Sequence, residues 1–194
     1  MNTLDVHDVA YELAIVQVAE EAMMRVMSSR KVVDRIVDGD ETVYGINTGF
    51  GSLVHTRVNH DGAEQLQLNL IRSHATGLGP TLSKEVVRAM MCVRLNSLAK
   101  GHSGVHPDVI QQLTQFLNNS IHPIVPRIGS LGASGDLAPL SHLACALVGE
   151  GRVELDGEIM TAMEAIQTCE MVPLTLRAKD GLSLINGTSL IAGM

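Results

Sequence analysis

Apolar residues recur along most of the chain at the three- and four-residue spacing of one helical face. Met23, Val26, Met27, Val33, Ile36 and Val37 share such a face over about 19–37, and Gly39 in Asp38-Gly39-Asp40 marks its end. A second helix is predicted from Asp61 to about Ser73, broken by the run His74 to Pro80. A third spans Ser83 to Lys100, with Ser83 as cap and Val86, Val87, Met90, Met91, Val93, Leu95 and Leu98 as the apolar positions. Pro107 opens a fourth helix running to about Asn119.

The period then changes. His122-Pro-Ile-Val-Pro126 is read as extended, because a residue before proline is pushed out of the helical region. A fifth helix, capped by Asp136, follows to about Val148. Residues 152–160 alternate around Asp156-Gly157, a strong hairpin signal. A short helix is predicted from Thr161 to Thr168, and Pro173 starts the last segment. Residues 3–18 are ambiguous: Val16 and Val18 alternate as in a strand, yet a helix also fits. Residues 183–194 form an apolar run without a polar tail, so the chain reads as cut short inside an element that continued.

Composition agrees with a mainly α domain. Hydrophobic residues make up 45% of 194 residues but aromatics only 2%, so Leu, Val, Ile, Ala and ten Met must build the core. The net charge of −7 comes without a basic stripe, which argues against nucleic acid, and no apolar run reaches membrane-spanning length. The N-terminus lacks the charged and apolar regions of a secretory signal. Cys92, Cys145 and Cys169 fit neither a zinc site nor a disulfide framework and read as reduced, cytoplasmic core thiols.

Two glycine-rich stretches carry the candidate chemistry, 43–51 and 129–139. Neither contains the Gly-Lys-Ser/Thr of a phosphate loop or a G-x-G-x-x-G fingerprint. Gly132-Ala133-Ser134-Gly135 falls one residue short of a nucleophile elbow, since position 136 is Asp. A run of this kind is more often a plain turn. A self-cyclisation also fits it. If the Gly135 nitrogen attacks the Ala133 carbonyl carbon, a five-membered ring closes. Loss of water from the ring and of the Ser134 hydroxyl then leaves a methylidene electrophile, and glycine suits the attacking position because it bears no obstructing side chain.

The runs Tyr44-Gly-Ile-Asn-Thr-Gly-Phe-Gly51, Asn69-Leu-Ile-Arg-Ser-His-Ala75, Gly129 to Pro139 and Leu184-Ile-Asn-Gly-Thr188 together resemble the aromatic amino acid ammonia-lyases, above all their histidine-specific branch. The resemblance covers nearly the whole chain in unbroken order. It implies the helical N-terminal part of the ammonia-lyase (L-aspartase-like) fold, with a small hairpin near 152–160. It also implies that residues 1–194 are the family's N-terminal domain, ending before its C-terminal helical region. The prosthetic group implied is a 4-methylidene-imidazol-5-one made from Ala133, Ser134 and Gly135, with no external cofactor and no metal. A cytoplasmic homotetramer whose sites combine several subunits is implied as well.

By the same resemblance Ser134 becomes the dehydrated methylidene centre, Ala133 and Gly135 close the ring, and Tyr44 removes the substrate β-proton. A phenol of ordinary pKa, about 10, is a poor base at neutral pH, so that role requires a site that lowers it; a buried structural tyrosine is the rival reading. Ser73-His74 resembles the substrate-selecting pair of the histidine branch, where the other branches generally carry an aromatic residue or His followed by Leu. An imidazole at 74 can exchange hydrogen bonds with a substrate imidazole, whereas Leu would favour a benzene ring. Asn186 resembles the asparagine beside the prosthetic group, although Asn186-Gly187 is also a strong turn signal. Asp136 is expected to cap the fifth helix rather than react, though its carboxylate could assist dehydration. His55, His60, His102, His106, His122 and His142 lack metal spacing and are read as structural.

The activity implied is elimination of ammonia from the small amino acid L-histidine, giving trans-urocanate. The alternatives are a lyase or aminomutase acting on tyrosine or phenylalanine, and a non-catalytic half that needs a separate C-terminal part.

Overall fold

A computed structural model describes residues 1–49, 60–129 and 134–194, and the side chains of all of these except His60 and Asp61. The opening residues form α1, Thr3–Tyr11, fixed by a capping box in which Asn2 and Asp5 satisfy each other's backbone amides. Residues 14–18 belong to no helix or strand, yet their burial alternates, with Ala14, Val16 and Val18 half-buried. The backbone at Val16 is paired by a side chain. The Asn118 amide accepts from the Val16 N–H at 2.8 Å and donates to the Val16 carbonyl at 2.9 Å. The helical reading of 3–18 thus holds for Thr3–Tyr11, while the alternating part shows in burial and forms no strand.

Four helices follow the predicted periods closely: α2, Glu20–Asp38; α3, His60–His74; α4, Lys84–Leu98; and α5, Pro107–Asn118. Ser83 caps α4, and Pro107 occupies the first turn of α5 behind a His106 ring that accepts from the Asp108 amide. The fifth predicted helix is α6, Leu137–Leu147, in which nearly every side chain is buried. A helix apolar on all sides belongs at the centre of a bundle. The core there is built from Met90 and Met91 of α4, Leu140 and Leu143 of α6, and Ile71, Ile110, Leu113 and Phe116, all at 0% exposure.

The extended segments pair in a way no local pattern announces. Strand β1, Leu78–Thr81, lies in the run expected only to break a helix, and pairs antiparallel with β3, Pro126–Ile128. Between them in sequence, β2, His122–Pro123, adds to the predicted hairpin of β4, Arg152–Leu155, and β5, Glu158–Thr161, giving a three-stranded sheet in the order β2-β4-β5. The hairpin turn has positive φ at both Asp156 and Gly157, +52° and +82°, as a two-residue turn of this twist requires.

Helix α7, Ala162–Thr168, carries a second capping box between Thr161 and Glu164. The apolar run at the end is not one element: α8, Asp180–Ile185, stops at Asn186, and α9, Ser189–Gly193, starts after Thr188. All three cysteines are free, two of them buried, and burial raises the Cys145 thiol to about 11. Among the described residues no helix is long and apolar enough to cross a membrane.

Candidate active site

The glycine-rich stretch 129–139 is tied down at Gly129 and again at Asp136. Gly129 has φ +145°, and a Cβ there would stand 2.8 Å from the Gly77 Cα, so loop and strap approach as backbones only glycine permits. Gly77 is held in turn by α6, where His142 Nε2 accepts from the Gly77 amide at 3.1 Å. Burial lowers the His142 pKa, which favours the neutral ring able to accept that bond. The structural reading of His142 therefore holds in a specific form, since this ring fastens the segment after His74 to α6, the helix that follows Ser134.

At the far end Ser134 and Gly135 are half-buried, and Gly135 has φ +76°. The Ser134 Oγ accepts a long bond, 3.5 Å, from the Asp136 amide. Ala133, the first residue of the tripeptide, lies outside the described residues. Asp136 departs from expectation. It stands at the N-cap position of α6, but with φ −112° and ψ 4° its side chain makes no bond to its own helix. Instead Oδ2 accepts from the amides of Leu190 at 2.7 Å and Ile191 at 3.4 Å. It caps α9, whose own N-cap, Thr188, contributes no side-chain bond. Asp136 is fully buried, and its Oδ1 has no hydrogen-bond partner among the described residues.

That bond brings the two motif runs together. Asn186 lies four residues before Leu190, on the exposed turn between α8 and α9, with its amide bonded to the Leu182 carbonyl at 3.1 Å. The turn reading of Asn186-Gly187 is right about the change of direction, yet the backbone at Asn186 is extended, φ −93° and ψ 96°. Arg94 of α4 reaches beneath the turn and donates from Nη2 to the carbonyls of Ser183 and, at 3.0 Å, Asn186. No motif along the chain marks Arg94 for this role.

His74 ends α3. Its Nδ1 lies 2.9 Å from the Leu70 carbonyl and 3.0 Å from the Ser73 Oγ. A carbonyl only accepts, so Nδ1 is the donor, and in the neutral ring Nε2 then keeps the lone pair. Ser73 also donates to the Leu70 carbonyl, at 2.8 Å. The Ser-His pair thus sets the tautomer of an imidazole that presents an acceptor.

Tyr44 stands on a turn with Gly45 at φ +74°, and at 57% exposure it is not the buried tyrosine of the rival reading. The turn is stapled to α2 by Asn47, whose Oδ1 accepts from the Val43 amide and whose Nδ2 donates to the carbonyls of Ile36 and Glu41. Asn47 is 4% exposed, a second residue whose work was invisible in the motif. A cavity of about 420 Å³ lies away from the glycine loop, lined by Val9, Val16, Val18, Cys92 and Leu95 among others.

The aromatic amino acid lyase family profile matches residues 1–194. The chain is 51% identical to a histidine ammonia-lyase of Geobacillus thermodenitrificans over 96% of its length, and 48% identical to that of Bacillus subtilis over all of it. It spans 37% and 38% of the length of those two curated relatives. Among solved structures it is similar to a histidine ammonia-lyase of Trypanosoma cruzi, at TM-score 0.91 and 39% identity, covering the whole chain and 38% of that protein. It is equally similar in shape to a tyrosine aminomutase of Streptomyces globisporus, at TM-score 0.92 and 41% identity over the whole chain and 36% of that protein. By a profile that matches every residue, the chain belongs to the aromatic amino acid lyase family.

Proposed function

We propose that this chain is the ring-bearing part of a carbon–nitrogen lyase that eliminates ammonia from L-histidine to give trans-urocanate, a step of histidine breakdown. Shape does not choose among substrates, since lyase and aminomutase structures match about equally well. The observation that carries the choice is His74, whose Nδ1 is committed to the Leu70 carbonyl so that Nε2 can accept from a substrate imidazole N–H. Identity near 50% with histidine ammonia-lyases supports it.

The residues present fit a methylidene-imidazolone derived from Ala133, Ser134 and Gly135. Gly135 has a left-handed backbone, and the adjacent Asp136 leaves one buried carboxylate oxygen without a partner among the described residues. When formed, the group supplies an electrophile that makes the substrate amine a better leaving group. Around it, Asn186 would hold the substrate carboxylate or ring oxygen by its amide. Tyr44 would take the β-proton, and His74 would orient the imidazole.

Because the relatives extend well beyond this span, the reading includes a dependence on further residues, from a longer chain or a separate part. It also includes a homotetramer with shared sites; exposed Leu78, Ile128 and Ile191 near the loop are apolar surface such an assembly would cover. Three free cysteines suit the reducing cytoplasm.

Two measurements test the reading. The intact mass of the purified chain should be low by two water molecules, and urocanate should appear by its ultraviolet absorbance when L-histidine is added, either directly or on mixing with the C-terminal region of a relative. Full mass, or turnover of tyrosine in preference to histidine, would overturn it. The aminomutase likeness makes tyrosine the substrate to try second.

A further inference from the structure

The segment from Asn186 to Ile191 has little to hold it by itself. It joins two helices of six and five residues, and neither gains a side-chain cap from its own N-cap residue. Its far end is fixed by Asp136. Its near end is fixed from below by the side chain of Arg94, which is 4% exposed on α4. Nη2 bonds the carbonyls of Ser183 and Asn186, oxygens that the end of a helix leaves without intrahelical donors. Gly187 lies so close that a Cβ there would collide with Arg94 Nη1. Glycine at 187 is therefore explained by contact with Arg94, not by a positive φ.

We propose that Arg94 is a positioning residue, whose guanidinium fork holds the Asn186 turn at the height where the Asn186 amide meets substrate. The inference rests on the reading of Asn186 as a substrate-binding residue. Arginine suits this position because one planar fork reaches two carbonyls, and it stays charged under burial that would readily neutralise a lysine. Burial holds the Arg94 pKa down at about 10, still well above neutrality, and Asp136 opposes that shift through space. One carboxylate and one guanidinium thus bracket the segment, from the loop side and from α4.

The test compares Arg94→Met, Gly187→Ala and Asn186→Ala, singly and with Asn186→Ala combined with each of the other two. Hydrogen exchange read on the full chain needs no turnover. In Arg94→Met the Asn186 amide should exchange roughly tenfold faster or more, while α5 amides keep their protection and the mass loss of two waters persists. Gly187→Ala, which pushes on the guanidinium without removing it, should do the same. In kinetics on the full-length protein, Arg94→Met and Asn186→Ala should each lower kcat/KM, and the double variant should be no worse than the poorer single one. Additive losses, or exchange unchanged at Asn186, would overturn the positioning role. Unprotected α5 amides or full mass in both Arg94→Met and Gly187→Ala would also overturn it, by showing a general structural part. If Asn186→Ala has no kinetic effect, the substrate role of Asn186 fails, while the exchange result still decides whether Arg94 holds the turn.

Discussion

The Leu190 amide donates to Asp136 Oδ2 at 2.7 Å, and this bond spans 54 positions of sequence. Through it the helix that begins after Ser134-Gly135 and the helix that begins after Asn186 share one buried carboxylate. The glycine loop and the last motif run are consequently one structural unit.

Removing that carboxylate leaves two amides of α9 without an acceptor. Asp136→Ala should cost about 1–3 kcal/mol, and Asp136→Asn, which retains an acceptor, should cost less. Urea denaturation of the purified chain measures both. Equal stability in all three proteins would show that the cap contributes nothing.

Gly129 and Gly77 touch as bare backbone, so Gly129→Ala should push the loop away from the His142-anchored strap. The expected cost is about 1–3 kcal/mol from the strained φ and the contact. Ring closure in the tripeptide that follows should suffer with it, and intact mass should reveal a fraction that has kept both waters. A variant fully dehydrated at the normal rate would separate ring formation from this contact.

His74→Leu should lower kcat/KM for L-histidine on the order of 10- to 100-fold, since a substrate N–H would lose its acceptor in a desolvated site. Stability should change little, because His74 is only half-buried at a helix end. Unchanged histidine turnover would point to another group as the selector.

His122 gives a pH dependence with a definite sign. Burial first, then the positive charge of Arg88, lowers its pKa from 6.5 to about 4, with Lys84 acting in the same direction and Glu85 opposing. Its Nε2 lies 3.1 Å from Arg88 Nη1 and accepts that bond only when neutral. A depressed folded pKa means the unfolded chain binds the proton first. The contribution is therefore complete above about pH 6.5 and is lost as pH falls toward 4. Roughly 2–3 kcal/mol should disappear over that window. His122→Gln keeps an acceptor for Arg88 and does not titrate, so its urea midpoint should vary less between pH 7 and pH 4.5 than that of the parent.

Most elements were legible because their causes are local. The α4 face, the Pro107 start of α5 and the Asp156-Gly157 turn each depend on residues within a few positions. The ambiguity at 3–18 had a local origin too, since a capped helix and an alternating segment lie end to end. The candidate residues Tyr44, His74, Ser134, Gly135 and Asn186 were legible for a different reason. Their runs resemble those of a family, and what the family profile matching residues 1–194 bears out is the family, while their roles stand as the proposal above.

Local pattern thus carried the helical class, the element boundaries set by caps and prolines, and membership in a family. Only packing in three dimensions made Asp136 cap α9 instead of α6, joined β1 to β3, brought Asn118 against the backbone of Val16, and put Arg94 under Asn186. For Asp136 and Arg94 the physical reason is burial. A buried polar group must find a partner, and once the chain is packed that partner stands dozens of positions away, where no spacing rule along the sequence can point to it.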